Sequence, residues 1–364
     1  MIDAGRGAPA MRELRIGFVG CGRATEDLHV PAVRRVEGLR VVAIADSSPD
    51  ALARVQRVVP EARASSSALD LVQDPAVDIV AVCVPPFLHA EIAVAALAAG
   101  KHVYLEKPLA VTLEEAARIR SAASVAAGTL GLGFNLRSHR LALAARELIA
   151  GGTLGPIEML RTAWTCGFQL GRDWPAWRLD RKLGGGAFYE IAVHHLDLAR
   201  FLLADEIDSV TAVTRSQEIV DQDISISARM RSGVVLSIDV SQKTVDGNEI
   251  EAYGRRGALA FSCYRADSMT VRASSQLGGG VAAQLRRRLA WLRALPAAVA
   301  SARAGGDFRG SYAEHWRRFA AAVRGKHAVP ATLDDGERAL VAVTAAIRSA
   351  ETGATIRLSE VTPT

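Results

Sequence analysis

Residues 15–46 read RIGFVGCGRATEDLHVPAVRRVEGLRVVAIAD. An apolar, β-branched run over 15–19 meets Gly20-Cys21-Gly22-Arg23-Ala24-Thr25. A segment of helical periodicity covers 24–36, and a second apolar run, 40–45, ends on Asp46. Strand, glycine turn, helix and strand in this order make the opening of a parallel βαβ unit. In such a turn the first glycine permits the tight bend and the second lets backbone amides approach a pyrophosphate. The helix then presents its positive end to that charge. Thr25 stands at the third position of G-x-G-x-x-G, where a glycine or alanine packs helix to strand, so the packing there must differ. Asp46 stands about 20 residues past the loop, where an acid accepts hydrogen bonds from a ribose and repels a 2'-phosphate. That favours NAD, while Ser47-Ser48 leave NADP admissible. The alternative is that Asp46 caps the helix beginning near Pro49. Gly20, Cys21, Gly22, Arg23, Ala24 and Asp46 are therefore the candidate cofactor residues.

The same grammar continues outward. Apolar runs at 78–84, 102–105 and 129–133 alternate with helical segments at 49–58, 66–73, 87–99 and 112–126. Strands this apolar, separated by helices, belong to a parallel sheet covered on both faces. After Asn135 the pattern changes. A helix over 138–150 leads to a strand at 157–164, a Trp-rich loop at 174–178, a glycine run at 184–186 and a helix at 187–203. Ile224, Ile226, Ala228 and Met230 then alternate with polar residues. Ser232-Gly233 turns the chain toward Leu236, Ile238 and Val240, and Gly254 to Gly257 join 249–253 to 258–261, all signs of antiparallel strands. Helices at 312–323 and 334–350 close the chain. The expected architecture is α/β: a loose tail over 1–12, a Rossmann unit over 13–134, and an α+β unit over 135–364 with an open, mostly antiparallel sheet and helices on one face.

Composition agrees with two such cores. The chain has 364 residues, 49% hydrophobic and 23% charged, values of a globular protein. It holds no apolar run long enough to span a membrane, and 1–12 lack the apolar stretch of a signal peptide. Cys21, Cys83, Cys166 and Cys263 are scattered without metal-ligand spacing, which predicts buried thiols in a reducing cytoplasm and no metal. The formal charge of +5 is carried by arginine and spread along the chain, and aromatic content is 5%, so no nucleic-acid platform is expected. One dense cluster, Arg286, Arg287, Arg288 and Arg293, shares a predicted helix with Leu285, Leu289, Leu292 and Leu295. It reads either as a solvated face of a packed helix or as a surface for a membrane or anionic partner.

Two segments bring chemistry to this frame. Glu106-Lys107-Pro108 ends the strand through Val103, at the edge where ligands bind in open α/β sheets. A lysine there can stabilise a developing alkoxide. On helix 187–203, Phe188, Ile191, His195, Leu198 and Leu202 form one stripe, which makes His195 a core histidine. Glu190, His194 and Asp197 form another, which is either a buried polar network or the wall of a site. A histidine can take an alcohol proton while a carboxylate orients it.

These pieces resemble, in order and over nearly the whole chain, the glucose-fructose oxidoreductase and inositol dehydrogenase (Gfo/Idh/MocA) family. The matching segments are the Gly20 to Thr25 loop, Pro85-Pro86-Phe87-Leu88-His89, Glu106-Lys107-Pro108, Gly133-Phe134-Asn135-Leu136-Arg137, and the segment from Gly184 to Asp197. The resemblance implies an NAD(P)-dependent oxidoreductase acting on a hydroxyl-bearing carbon of a sugar or cyclitol, with the second unit's sheet joining subunits into dimers or tetramers. It makes Lys107 and His194 catalytic. Glu190 falls where inositol dehydrogenases carry an aspartate, a departure of one methylene. Asn135 and Arg137 would hold substrate hydroxyls, and Pro85, His89, Glu106, Lys107, Trp177 and Arg178 would line the cofactor. A redox-neutral glycosidase or epimerase that recycles NAD, and a non-catalytic NAD-binding sensor, remain as alternatives.

Overall fold

The computed structural model describes residues 12–167, 175–265, 269–273 and 305–362, with scattered positions between 285 and 303. Six strands form one parallel sheet: β1 (Leu14–Val19), β2 (Leu39–Ala45), β3 (Arg63–Ser65), β4 (Ile79–Val82), β5 (His102–Leu105) and β6 (Leu130–Leu132). Their order is β3-β2-β1-β4-β5-β6, so the winding reverses between β1 and β4 and opens a crevice at that switch point. β4 is buried along its whole length, as a strand covered on both faces must be. The cover comes from α1 (Val30–Val33), α2 (Pro49–Val58), α3 (Ala68–Gln73), α4 (His89–Ala98) and α5 (Leu113–Val125). β3 escaped the sequence reading because Arg63-Ala64-Ser65 has no apolar run; only its pairing with β2 defines it.

The second sheet has eight strands: β7 (Ile157–Thr165), β8 (Ile207–Arg215), β9 (Asp223–Met230), β10 (Val235–Ser241), β11 (Gly247–Gly254), β12 (Gly257–Ser262), β13 (Thr270–Ala273) and β14 (Ile356–Arg357). They lie in the order β13-β12-β11-β7-β10-β9-β8-β14. Every neighbouring pair is antiparallel except β7 with β10, so the sheet is mixed rather than wholly antiparallel. The expected alternation is present: Ile224, Ile226, Ala228 and Met230 are buried and the residues between them are not. α6 (Arg140–Ala150), α7 (Val193–Leu203) and α9 (Leu333–Thr352) pack with the inner face into one core. Val213, Val235 and Val271 are exposed on the chain's surface.

One element of the 135–364 segment crosses back. α8 (Asp307–Val323) packs on the first sheet, where Trp316 stacks on Tyr104 with ring centroids 4.1 Å apart and Phe319 meets Tyr104 edge-on. Cys21, Cys166 and Cys263 are buried and Cys83 is half-buried. No helix among the described residues is long and apolar enough to cross a membrane. Trp174, the tail over 1–11, and the side chains of Arg286, Arg287 and Arg293 lie outside the described residues. Leu285, Leu289 and Leu292 of that basic stretch are exposed.

Candidate functional site

The glycine loop follows β1 and leads into a helical stretch, 23–33, that contains a π turn over Thr25–His29. Gly20 has φ +98°, and a Cβ there would lie 2.4 Å from the Cys83 carbonyl oxygen, so both conformation and space require glycine. Around Gly22 the space is open, as an approaching pyrophosphate needs. Thr25, the departure from the glycine pattern, is fully buried and donates to the Gly20 carbonyl at 2.6 Å, tying the loop to its helix. Asp46 closes the same loop: Oδ2 accepts from Cys21 N at 2.7 Å and Oδ1 from Ser48 N at 2.8 Å. Ser48, not Asp46, caps α2, so the capping alternative for Asp46 does not hold. Each carboxylate oxygen keeps a lone pair for a ribose hydroxyl. Cys21 is inert, its thiol pushed up to about 12 by burial and then by Asp46. These residues fit a dinucleotide.

Across the crevice, β5 ends at Leu105 and delivers Glu106 and Lys107. Lys107 Nζ donates to the Glu190 carbonyl oxygen at 2.8 Å. Burial lowers the pKa of Lys107, with Glu106 and then Glu190 opposing that shift. Glu190 lies in a second π turn, Phe188–Ala192, which leads directly into α7. π turns of this kind recur at functional sites. The glycine run makes the approach: a Cβ on Gly184 (φ +80°) would stand 2.5 Å from Pro86 Cβ. Glu190 Oε1 lies 2.9 Å from Arg178 Nε, and Oε2 accepts from Gln242 Nε2 at 3.5 Å. Burial raises the pKa of Glu190 against the pull of Arg178 and Lys107.

His194 follows on α7, half-buried, with its ring edge-on to Phe134 at 6.1 Å. Its Nδ1 is buried and has no hydrogen-bond partner among the described residues. Burial, and then the charge of Lys107, hold its pKa well below the ordinary histidine value. The ring is therefore a free base at neutral pH, the form that accepts a proton. Trp177 and Arg178 sit on the 3₁₀ turn Ala176–Leu179, with the guanidinium 5.4 Å from the Trp177 ring centroid.

Several of the expected site residues are engaged by other parts of the chain. Arg137 is buried and fully engaged: Nε and Nη2 donate to Asp197 at 2.8 and 2.7 Å, and Nη1 donates to Asp335 at 2.8 Å. It ties α7 to the start of α9 and has no fork left for a substrate. Asp197 thereby leaves the stripe it shared with Glu190 and His194 and belongs to a structural network that also includes Arg200. Asn135 is buried and donates to Ser311 Oγ at 2.8 Å, again a structural tie. Both ring nitrogens of His89 lie against backbone carbonyls. Its Nδ1 lies 2.7 Å from the Pro108 carbonyl oxygen and its Nε2 2.9 Å from that of Val84, so it braces the turn before α4 against the Lys107 loop. Pro85 begins that turn, at the N-terminal side of Pro86–Leu88. His195 is a core histidine, lowered to about 4 by burial.

Gln242 was missed. It continues the inward parity of Leu236, Ile238 and Val240, and a buried amide at the end of that series was the available signal.

The chain matches two family models in tandem: the oxidoreductase family, NAD-binding Rossmann fold, over residues 14–134, and the GFO/IDH/MocA C-terminal domain over residues 142–260. It is 28% identical over 360 residues to myo-inositol 2-dehydrogenase of Thermotoga maritima, covering 96% of this chain and 99% of that one. It is 31% identical over 271 residues to inositol 2-dehydrogenase of Rhizobium meliloti, covering 71% of this chain and 78% of that one. A solved structure of levoglucosan dehydrogenase in complex with NADH and levoglucosan shares the fold, with a TM-score of 0.79 and 24% identity over 95% of this chain and 100% of that one. A glycine loop closed by Asp46, a lysine delivered by β5 and a free-base histidine on α7 thus sit in a chain that belongs to the GFO/IDH/MocA family of oxidoreductases, with its NAD-binding Rossmann fold.

Proposed function

We propose that this enzyme is an NAD-dependent dehydrogenase that oxidises a secondary hydroxyl of a sugar, sugar derivative or cyclitol. One observation carries the reading. A histidine unpartnered at Nδ1 and kept as a free base stands one helical turn from Glu190, whose carbonyl holds the Lys107 ammonium at 2.8 Å. His194 takes the proton of the reacting hydroxyl, and Lys107 donates to its oxygen as negative charge develops there. Glu190, tethered by Arg178 and Gln242, accepts hydrogen bonds from a neighbouring hydroxyl. Bound NAD supplies the hydride acceptor. The glycine loop, Asp46 and the Trp177–Arg178 turn hold it, and the acid at 46 favours NAD over NADP. The unit 13–134 carries the cofactor and 135–364 the substrate side. Support for a polyol substrate comes from the inositol and levoglucosan enzymes that this chain resembles.

The outer face of the eight-stranded sheet, with Val213 and Val235 exposed, is the surface we assign to assembly into dimers or tetramers. Four cysteines with no disulfide among them suit a reducing, cytoplasmic setting. Lys107→Met and His194→Ala should each lower turnover by about 10²- to 10⁴-fold while NAD binding, read by nicotinamide-quenched tryptophan fluorescence, stays near that of the parent. Ordinary turnover in either variant removes that residue from the reaction.

A further inference from the structure

The glycine run before Glu190 rests on a buried ion pair that the reaction above does not use. Asp221 lies in the turn between β8 and β9, fully buried, with φ +54°. Few residues other than glycine take that backbone, and aspartate is one of them. A carboxylate in such a place costs free energy unless it is paired. Arg181, on the 3₁₀ turn Arg181–Leu183, pairs it with both arms of its fork: Nε donates to Oδ2 at 2.9 Å and Nη2 to Oδ1 at 2.6 Å. The remaining guanidinium nitrogen, Nη1, donates to Glu351 near the end of α9 at 2.6 Å. The turn is held in its own right, since Asp221 N donates to Ser216 Oγ at 2.9 Å and Thr214 Oγ1 of β8 lies 3.2 Å from Asp221 Oδ1.

The same carboxylate meets the chain again at Gly186. That glycine has φ +86°, and a Cβ on it would stand 2.9 Å from Asp221 Oδ2 and 3.1 Å from the Val220 carbonyl oxygen. Lying against the acid, the Gly186 backbone holds two further residues: its N–H donates to the Arg178 carbonyl at 3.1 Å, and its own carbonyl accepts from Glu190 N at 3.0 Å. The side chains of those two residues are the ones that pair at 2.9 Å. Between them the loop has no slack, because a Cβ on Gly185 would lie 2.4 Å from the Arg178 carbonyl oxygen. We propose that Asp221 is a positioning residue for Glu190: it latches Arg181, seats Gly186, and so sets the place at which Arg178 meets the Glu190 carboxylate. The proposal rests on the role given to Glu190 above. Lys107 holds the Glu190 carbonyl from one side, and the latch holds its amide from the other. Asp221 belongs to a turn of the mixed sheet, so that sheet aims a side chain it does not itself carry.

The test begins in the full chain without substrate, as hydrogen–deuterium exchange read by mass spectrometry on peptides covering 176–190. Asp221→Gly removes the carboxylate, suits the φ of +54° and leaves no buried charge behind. It should speed exchange in those peptides by about tenfold or more, while the unit 13–134 exchanges as in the parent. Exchange unchanged over 176–190, or raised equally throughout the chain, overturns the proposal. Turnover reads the consequence. For the inositol, aldose or glycoside that the parent oxidises with NAD, kcat/KM should fall by about tenfold to a hundredfold, the larger part of it in KM, as expected for a substrate-holding group moved by about 1 Å. In a Glu190→Ala background Asp221→Gly should cost nothing more, because it acts through that carboxylate. An equal fall in both backgrounds overturns the proposal. If Asp221→Gly does not fold, Arg181→Lys keeps a cation beside the acid without the two-armed fork and should speed exchange in the same direction. Unchanged exchange in that variant overturns the idea. Faster exchange over 176–190 together with ordinary turnover in Glu190→Ala supports the latch and counts against the part given to Glu190 in the reaction.

Discussion

At the scale of single residues, the site works by burial that pushes two ionisable groups toward their uncharged forms. In the proposed reaction His194 must be neutral to accept a proton, and burial keeps it so below the pH at which an ordinary histidine, pKa about 6.5, becomes charged. In the same proposal Lys107 must be an ammonium to donate to the developing oxyanion, and its pKa is lowered from that of a free lysine, about 10.4. The signs set the profile. Activity is lost as pH falls through the depressed histidine value and as pH rises through the depressed lysine value. The kcat/KM profile for the oxidation should therefore hold its plateau below pH 6.5 and turn down before pH 10.4. An acid limb that stays centred at or above about 6.5 would assign the base to a group other than His194. Lys107 and His194 stood out in the sequence as a lysine at a strand's carboxyl edge and a histidine on an apolar helix, and the family resemblance, not that pattern, made them candidates for catalysis. Asp221 did not stand out, because its partners Arg181 and Gly186 are brought to it only by the fold.

At the scale of elements, the sequence reading found most strands and helices of regular periodicity, passed over β8 although buried Val210 and Ala212 alternate there with exposed residues, and took the π turns for ordinary helix. The helix assigned to 187–203 is a π turn followed by α7, and of the stripe Glu190, His194 and Asp197, read as either a buried polar network or the wall of a site, Asp197 falls to the network. What separates them is the partner: Asp197 faces Arg137 and the N-terminal end of α9, while Glu190 faces Arg178 and Gln242. Arg137→Met removes the fork from this junction and leaves a buried carboxylate with only Arg200, at 3.4 Å. Urea denaturation should show a loss of about 3 kcal/mol or more, since breaking a buried ion pair from one side typically costs about 3–5 kcal/mol. A loss under about 1 kcal/mol, together with a raised KM and an unchanged unfolding midpoint, would return Arg137 to the substrate. The short strand β3 and the two-residue β14 were illegible for a different reason, since neither carries an apolar run and both are defined by the neighbour they pair with.

At the scale of the whole molecule, the two sheets divide the labour and α8 binds them together. The parallel sheet supplies the glycine loop, Asp46 and Lys107 at its carboxyl edge. The mixed sheet and the helices on its inner face supply Glu190, His194 and Gln242. The order of elements was readable because each sheet has its own hydrophobic rhythm. The return of α8 to the first sheet was not, because Trp316 and Phe319 read only as the apolar face of a helix. If the outer face of the mixed sheet joins subunits, light scattering should give two or four times the chain mass, and Val213→Glu should lower it; a monomer at micromolar concentration would contradict this assembly. The most direct test of the account is to incubate the purified chain with NAD and a panel of inositols, aldoses and simple glycosides, following nicotinamide absorbance and product mass together. The account predicts substrate-dependent reduction of NAD with a product two mass units lighter, lost in Lys107→Met and His194→Ala. A new product formed with no net reduction of NAD would contradict it and assign the site to redox-neutral chemistry.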